Sequence, residues 1–172
     1  EVADWIRRNA RGNHGSEYDC IVGISGGVDS SWLVHLLANA GLNLYVLHVD
    51  TGWNTQKAVS NVYRICNSLS IKLHTKVIDW NVMRKLQLSY FYMGVINQDM
   101  PQDIGIFSAQ IDACKTNQIR FLASGANNTT ESVLPSAWGH HWHDLTNMNS
   151  IYKQFWNKKL KNFPYCNFQD LA

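Results

Sequence analysis

The stretch Ile21-Val22-Gly23-Ile24-Ser25-Gly26-Gly27-Val28-Asp29-Ser30-Ser31 constrains the rest of this chain more than any other. A short apolar run enters a Ser-Gly-Gly turn. An Asp-Ser pair then opens a helix expected to begin near Ser31 and to run through Trp32, Leu33, Val34, Leu36 and Leu37. Strand, tight turn and helix N-terminus in that order describe an anion site. Adjacent glycines permit positive φ and close backbone approach, while the first helical N–H groups and the macrodipole bring positive charge to the same point. The nucleotide loop G-x-x-x-x-G-K-[ST] does not fit, because no lysine follows the glycines.

A turn of this kind needs a sheet behind it, and the remaining sequence alternates accordingly. Val2, Trp5 and Ile6 form an apolar stripe on a short leading helix expected to pack on the sheet edge. Strands are expected at about 19–24, 42–49, 71–78 and 120–124. Between them, Ala58, Val62, Ile65, Cys66 and Leu69 recur at helical spacing, and a further helix follows Asp79-Trp80 through Val82, Leu86 and Tyr90. Residues 93–102 read as a loop, after which a helix resumes near Asp103 with Ile104, Phe107, Ile111 and Cys114 on one face. A last helix spans Leu145 to Phe155, with Asp144 as its N-cap. The expected fold is α/β: a Rossmann-like open, largely parallel sheet with helices on both faces and the first strand central.

Composition narrows the class. With 172 residues, 45% hydrophobic and 16% charged, the chain reads as one domain, 1–172, with a full core. Because it opens on Glu1, it reads as a piece of a longer protein. A net charge of +2 gives no argument for nucleic acid as a partner. No apolar run has the length of a membrane span and no signal peptide is visible, so the expected location is cytoplasmic. Cys20, Cys66, Cys114 and Cys166 lie far apart, without C-x-x-C spacing, and read as reduced thiols, with Cys66 and Cys114 in the core. His140, His141 and His143 lack i, i+4 pairing and do not read as a metal site, and Lys158, Lys159 and Lys161 read as a solvated helix face.

In an open parallel sheet, ligands bind beyond the carboxyl ends of the strands, and Ser25 to Ser30, Asp50 to Asn54 and Gly125 to Glu131 all fall there. Asp29 and Glu131 are the carboxylates suited to a metal ion; each also suits a helix start, where the dipole favours negative charge.

Ser-Gly-Gly-Val-Asp-Ser matches the S-G-G-x-D-S signature of the PP-loop, or N-type, ATP pyrophosphatases. Further runs extend the likeness: Asp19 to Gly23, His48 to Asn54, Val77 to Trp80, Leu86 to Leu88, Pro101 to Asp103, Ser124 to Asn127, Thr130 to Ser132 and Leu134 to Gly139. Together they resemble the N-acetyl sugar amidotransferases of bacterial lipopolysaccharide, O-antigen and surface-polysaccharide biosynthesis. That family's members are longer, with a cysteine-rich N-terminal segment. The resemblance implies ATP and Mg²⁺ as cofactors. It also implies conversion of an acetamido group on a nucleotide-linked N-acetyl sugar into an acetamidino group, by adenylation of the amide oxygen and displacement of AMP by ammonia. A glutaminase and an ammonia-channel subunit, like those of imidazole glycerol phosphate synthase, are the implied partners.

The same resemblance assigns candidate residues. Asp29, Ser30 and Glu131 would be catalytic, with Asp29 and Glu131 holding the metal. Gly23, Ile24, Ser25, Gly26, Gly27, Asp29 and Ser30, with His48, Val49, Asp50, Gly125 and Asn127, would contact ATP. Trp53, Asn54, Asp103 and Trp138 would face the sugar, although both tryptophans suit a core equally well. Two other readings stay open: a PP-loop enzyme modifying tRNA by thiolation or lysidine formation, and a nucleotide-binding module without chemistry.

Overall fold

The computed structural model describes residues 2–10, 16–126 and 144–166. Strand β1 (Cys20–Gly23) continues through α2 (Val28–Asn39) into β2 (Leu44–Asp50), then through α3 (Gln56–Ser68) into β3 (Leu73–Val77). Helices α4 (Trp80–Met93) and α5 (Met100–Thr116) precede β4 (Leu122–Ala123). Helix α1 (Val2–Ala10) leads the chain, and α6 (Leu145–Trp156) is the last helix among the described residues.

The sheet order is β3-β2-β1-β4, and every pair is parallel. In register, Val22 lies beside Val46 of β2 and Ala123 of β4, and Val46 lies beside Leu73 of β3. The chain moves outward from β1 to β3 and then returns to the far side of β1. Right-handed crossovers in opposite directions put their helices on opposite faces of the sheet. Alternate side chains of β1 and β2 bear this out. Cys20, Val22, Leu44 and Val46 pack with Ile6 of α1, Val34 and Leu37 of α2, and Val62 and Cys66 of α3. Ile21, Leu47 and Val49 pack instead with α4, α5 and α6 through Met83, Leu86, Tyr90, Ile104, Met148 and Ile151. Covered on both faces, β1 has no polar alternation, and Cys20, Ile21 and Val22 are fully buried.

The expected fold class and the inner position of the first strand are therefore observed. So is the leading helix at the edge, where Trp5 meets Phe121 edge-on at 5.4 Å between ring centroids, just before β4.

Three local expectations are corrected. Helix α2 starts at Val28 rather than near Ser31, because Gly27 is its N-cap and the Ser31 hydroxyl turns back to donate to the Gly27 carbonyl. Helix α5 starts at Met100 rather than near Asp103; Pro101 lies in the first turn, where its fixed φ suits the helix and no N–H is needed. Its deepest face is Ile104, Gly105, Ser108 and Ala109, whereas Phe107, Ile111 and Cys114 are half-buried. The cause is a second cover. The Cys166 N–H donates to Ser108 Oγ at 3.1 Å, so the segment after α6 shields a side of α5 that a one-faced helix would leave open. No helix among the described residues is long and apolar enough to cross a membrane.

Candidate functional site

Where β1 ends, the Ile24 N–H donates to the Leu47 carbonyl at 3.0 Å, and the chain then leaves the sheet. Two serines close the following loop on itself. The Ser25 N–H donates to Ser30 Oγ at 3.2 Å, the two hydroxyl oxygens lie 3.1 Å apart, and the Gly27 N–H points to Ser25 Oγ at 3.4 Å. Gly26 has φ of +84°, and its carbonyl accepts from Asn61 Nδ2 of α3 at 3.2 Å, so the loop is tied to the neighbouring helix. No side chain caps α2 at Gly27. The N–H groups of its first turn lack intrahelical partners and face outward beside the loop, which leaves the positive end of the helix for a ligand.

The loop borders a cleft of about 450 Å³ at the carboxyl ends of β1, β2 and β4, where the strand order reverses. Gly23, Ile24, Ser25, Asp29 and Ser30 line it from the loop side. From β2 come Leu47, His48, Val49, Thr51 and Asn54. His48 is buried, with Nδ1 2.9 Å from the Ile24 carbonyl oxygen. A carbonyl only accepts, so Nδ1 carries a proton, and Nε2 has no hydrogen-bond partner among the described residues. Asp50 does not line the cleft. Its carboxylate accepts from the Gly52 N–H at 2.9 Å and from Asn54 Nδ2 at 3.0 Å, and so turns Asn54 towards the opening. Gly125, leaving β4, lies against the backbone of Asp29 and Ser30 and lines the cleft beside the loop.

The structure thus brings together Gly23, Ile24, Ser25, Asp29, Ser30, His48, Val49, Asn54 and Gly125. Gly26 and Gly27 shape the loop without facing the cleft. Trp53 is half-exposed, edge-on to Trp80 at 5.2 Å between centroids, and lies outside the cleft lining. Asp103 also lies outside it, and desolvation together with the Asp99 charge raises its pKa. Asn127, Glu131 and Trp138 fall outside the described residues, as do His140, His141 and His143.

Sequence reasoning missed the α5 wall. Gln102, Ile106 and Gln110 line the cleft at four-residue spacing, on the stripe of the helix next to its buried face. Thr51 Oγ1 donates to Gln102 Oε1 at 3.1 Å and joins that wall to the segment after β2. Ser124 and Ala126, which the sequence places in or beside the strand-end segment without a role of their own, also line the cleft. The available signal was the repeat of polar, apolar and polar residues at i, i+4 and i+8, which a search for charged or nucleophilic side chains passes over.

Electrostatically, Asp29 is the one carboxylate and His48 the one basic side chain among the described lining residues, which include neither lysine nor arginine. That set fits Mg²⁺, a hard cation that keeps several waters and is held by one or two carboxylates together with substrate phosphates. A larger cavity of about 690 Å³ lies between the end of β3, α5 and residues 162–166, and contains none of the loop. None of the four cysteines lines the cleft. Burial pushes the Cys20 thiol up to about 12 and Cys114 to about 11, and raises Cys66.

Comparison with known proteins gives a family match and structural likenesses. The family model described as queuosine biosynthesis protein QueC matches residues 19–127. No curated protein matches the sequence. Among solved structures, the NH3-dependent NAD synthetase from Campylobacter jejuni subsp. jejuni NCTC 11168, in complex with the nitrate ion, is 16% identical with a TM-score of 0.57. The likeness covers 90% of this chain and 70% of that one. The glutamine-dependent NAD+ synthetase from Acinetobacter baumannii, in complex with adenosine diphosphate, is 13% identical with a TM-score of 0.60. That likeness covers 99% of this chain but 34% of that one, so this chain spans about a third of the longer protein. At these identities the likeness is one of fold.

Proposed function

The chain belongs to the family of the queuosine biosynthesis protein QueC, within the PP-loop ATP pyrophosphatases, whose enzymes use ATP with Mg²⁺. From that premise we propose that residues 1–172 act as one ATP-dependent domain that adenylates a carbonyl oxygen and lets ammonia displace AMP. One observation carries this reading. The Ser25–Ser30 loop, at the uncapped N-terminus of α2, opens onto a cleft whose described lining holds the Asp29 carboxylate and no lysine or arginine.

In this reading the pyrophosphate half of ATP lies on the loop N–H groups and the Ser30 hydroxyl. Mg²⁺, held by Asp29 and the phosphates with Glu131 as a second ligand, supplies the positive charge that a lysine gives to other phosphate loops. The acceptor oxygen attacks the α-phosphorus, the bond to the bridging oxygen breaks, and pyrophosphate departs onto donors already in place. Ammonia then adds to the activated carbon and loses a proton, and the carbon–oxygen bond breaks to release AMP. Alignment and preorganised donors do the catalysis, and no side-chain nucleophile takes part. Gly23, Ile24, His48, Val49, Gly125 and Asn127 contact the nucleotide in this scheme, with Asp50 acting through Asn54.

The acceptor we propose is the acetamido group of a nucleotide-linked N-acetyl sugar, in O-antigen or surface-polysaccharide biosynthesis. Support comes from the sequence runs quoted above and from Asn54 on the cleft wall. Trp53, Asp103 and Trp138 are its further sugar-side candidates, and a glutaminase with an ammonia-channel subunit its source of ammonia. A second reading has its own support: the matching family is described by queuosine biosynthesis, so a precursor of that nucleoside is an acceptor of equal standing for the same adenylation. Thiolation finds less support, because a sulfur nucleophile must reach the cleft and ionise, whereas none of the four cysteines lines it and burial raises the pKa values of Cys20, Cys66 and Cys114.

The test is nucleotide product analysis with ATP, Mg²⁺, ammonium and a panel of N-acetyl sugar nucleotides and carbonyl-bearing precursors of the queuosine nucleoside. AMP and pyrophosphate formed with one acceptor class, and lost in Asp29→Ala, identify the substrate. ADP as the product rejects the adenylation mechanism.

A further inference from the structure

The α5 wall of the cleft has a composition unlike the loop side. Gln102, Ile106 and Gln110 present an amide, an aliphatic group and a second amide along one stripe. At 1.5 Å rise per residue the stripe is about 12 Å long, enough to lie alongside a nucleoside. It carries no charge to balance a phosphate, whereas amides and an aliphatic surface suit a neutral heterocycle. Placement agrees with composition. Helices α2 and α5 pack on opposite faces of the sheet. A nucleotide with its phosphates at the N-terminus of α2 therefore crosses the sheet rim and lays its nucleoside towards α5.

The two amides are not equivalent. Gln102 Oε1 accepts from Thr51 Oγ1, so that side chain braces the segment after β2. Gln110 reaches the foot of the loop, where its Nε2 occupies the space a side chain on Gly23 would take; a Cβ built there collides with it. Gly23 lacks a side chain at the one place on β1 where this amide must come in.

We infer that Gln110 is the residue that reads the adenine base, its amide donating to and accepting from one edge of the ring while Ile106 packs on the ring face. A glutamine amide presents a donor and an acceptor side by side and matches the adenine 6-amino group and an adjacent ring nitrogen. Gly23, whose backbone borders the nucleotide, then also positions Gln110 by leaving room for its amide. This inference rests on the ATP reading above and adds how the base is selected.

The experiment is calorimetric titration of the whole chain with MgATP and with the magnesium complex of purine riboside triphosphate, which lacks the 6-amino group. Gln110→Leu preserves bulk and removes the amide, while Gly23→Ala displaces the amide through a flexible side chain. A paired amide–base contact is worth about tenfold in affinity. Each variant should therefore weaken ATP binding by about that factor and weaken binding of the deamino analogue, which keeps only the ring-nitrogen half of the contact, by clearly less, with melting curves like that of the unmodified protein. Unchanged ATP binding in Gln110→Leu, or equal losses for both nucleotides, overturns the inference while the ATP reading stands. If the unmodified protein binds neither nucleotide, both fall together.

Discussion

At Gly26 the backbone takes φ of +84°, and the space where a side chain would begin is filled by the Ala58 carbonyl of α3. Gly26→Ala meets two costs. A non-glycine residue held at positive φ costs about 1–3 kcal/mol. The colliding atom is also backbone, which moves only if α3 moves with it. Gly41 provides the control, since its φ is +77° with nothing within 4 Å of a built Cβ. In urea titrations Gly41→Ala should show the strain alone, and Gly26→Ala should lose more stability by about 1 kcal/mol or more, together with ATP binding. Equal losses would mean that the loop does not depend on its seat against α3. At this scale the sequence was readable where chemistry is concentrated in residue type. Ser25, Asp29 and Ser30, singled out by residue type, line the cleft. Gln102, Ile106 and Gln110 were not readable, because their role comes from a shared face of a helix and none of the three is distinctive by itself.

Helix α4 shows how one side chain fixes an element. Asp79 caps it, accepting from the Asn81 N–H at 2.8 Å and more weakly from Val82 at 3.4 Å. The helix it starts carries Met83, Leu86 and Tyr90 into the core, all fully buried. Loss of such a cap costs about 1 kcal/mol. Asp79→Ala should lower the denaturant midpoint accordingly, while Asp79→Asn, which keeps an acceptor, should recover most of the loss. A midpoint unchanged in Asp79→Ala would show that core packing alone sets the start of α4. Elements were largely legible because parallel strands buried on both faces read as apolar runs, and turns with capping residues separate them. Asp144 was read as the α6 cap and accepts from the Asn147 N–H at 2.8 Å. The buried face of α5 depends on the segment reaching Cys166 that covers it, a contact no local window contains. The start of α2 is a local matter, set by Gly27 as N-cap one turn ahead of Ser31.

Across the whole molecule, the sheet separates two cores, and His74 on β3 marks where the α4–α6 side meets the edge. Its ring stacks on Tyr45 with centroids 3.8 Å apart and planes 16° apart, Tyr18 stands edge-on to it, and Nε2 is buried without a hydrogen-bond partner among the described residues. Desolvation, and then the Lys72 charge, lower the pKa of His74, with Glu17 opposing them. In the window between that lowered value and the ordinary 6.5, the unfolded chain binds more protons than the folded one. The contribution of His74 is therefore fully present above pH 6.5 and is lost as pH falls towards the folded-state value. Asp103 has the opposite sense. Its raised pKa favours the neutral carboxyl in the fold, so its contribution is present below the usual 3.8 and lost as pH rises through the folded-state value. Between about pH 7.5 and about pH 5.5 the histidine dominates, because its reference pKa lies inside that interval and the carboxylate's lies well below it. The melting temperature of the unmodified protein should drop across the interval. In His74→Phe, which keeps the stack on Tyr45 without a titrating nitrogen, the drop should be smaller. Parallel curves for the two proteins would place the acid sensitivity elsewhere in the molecule.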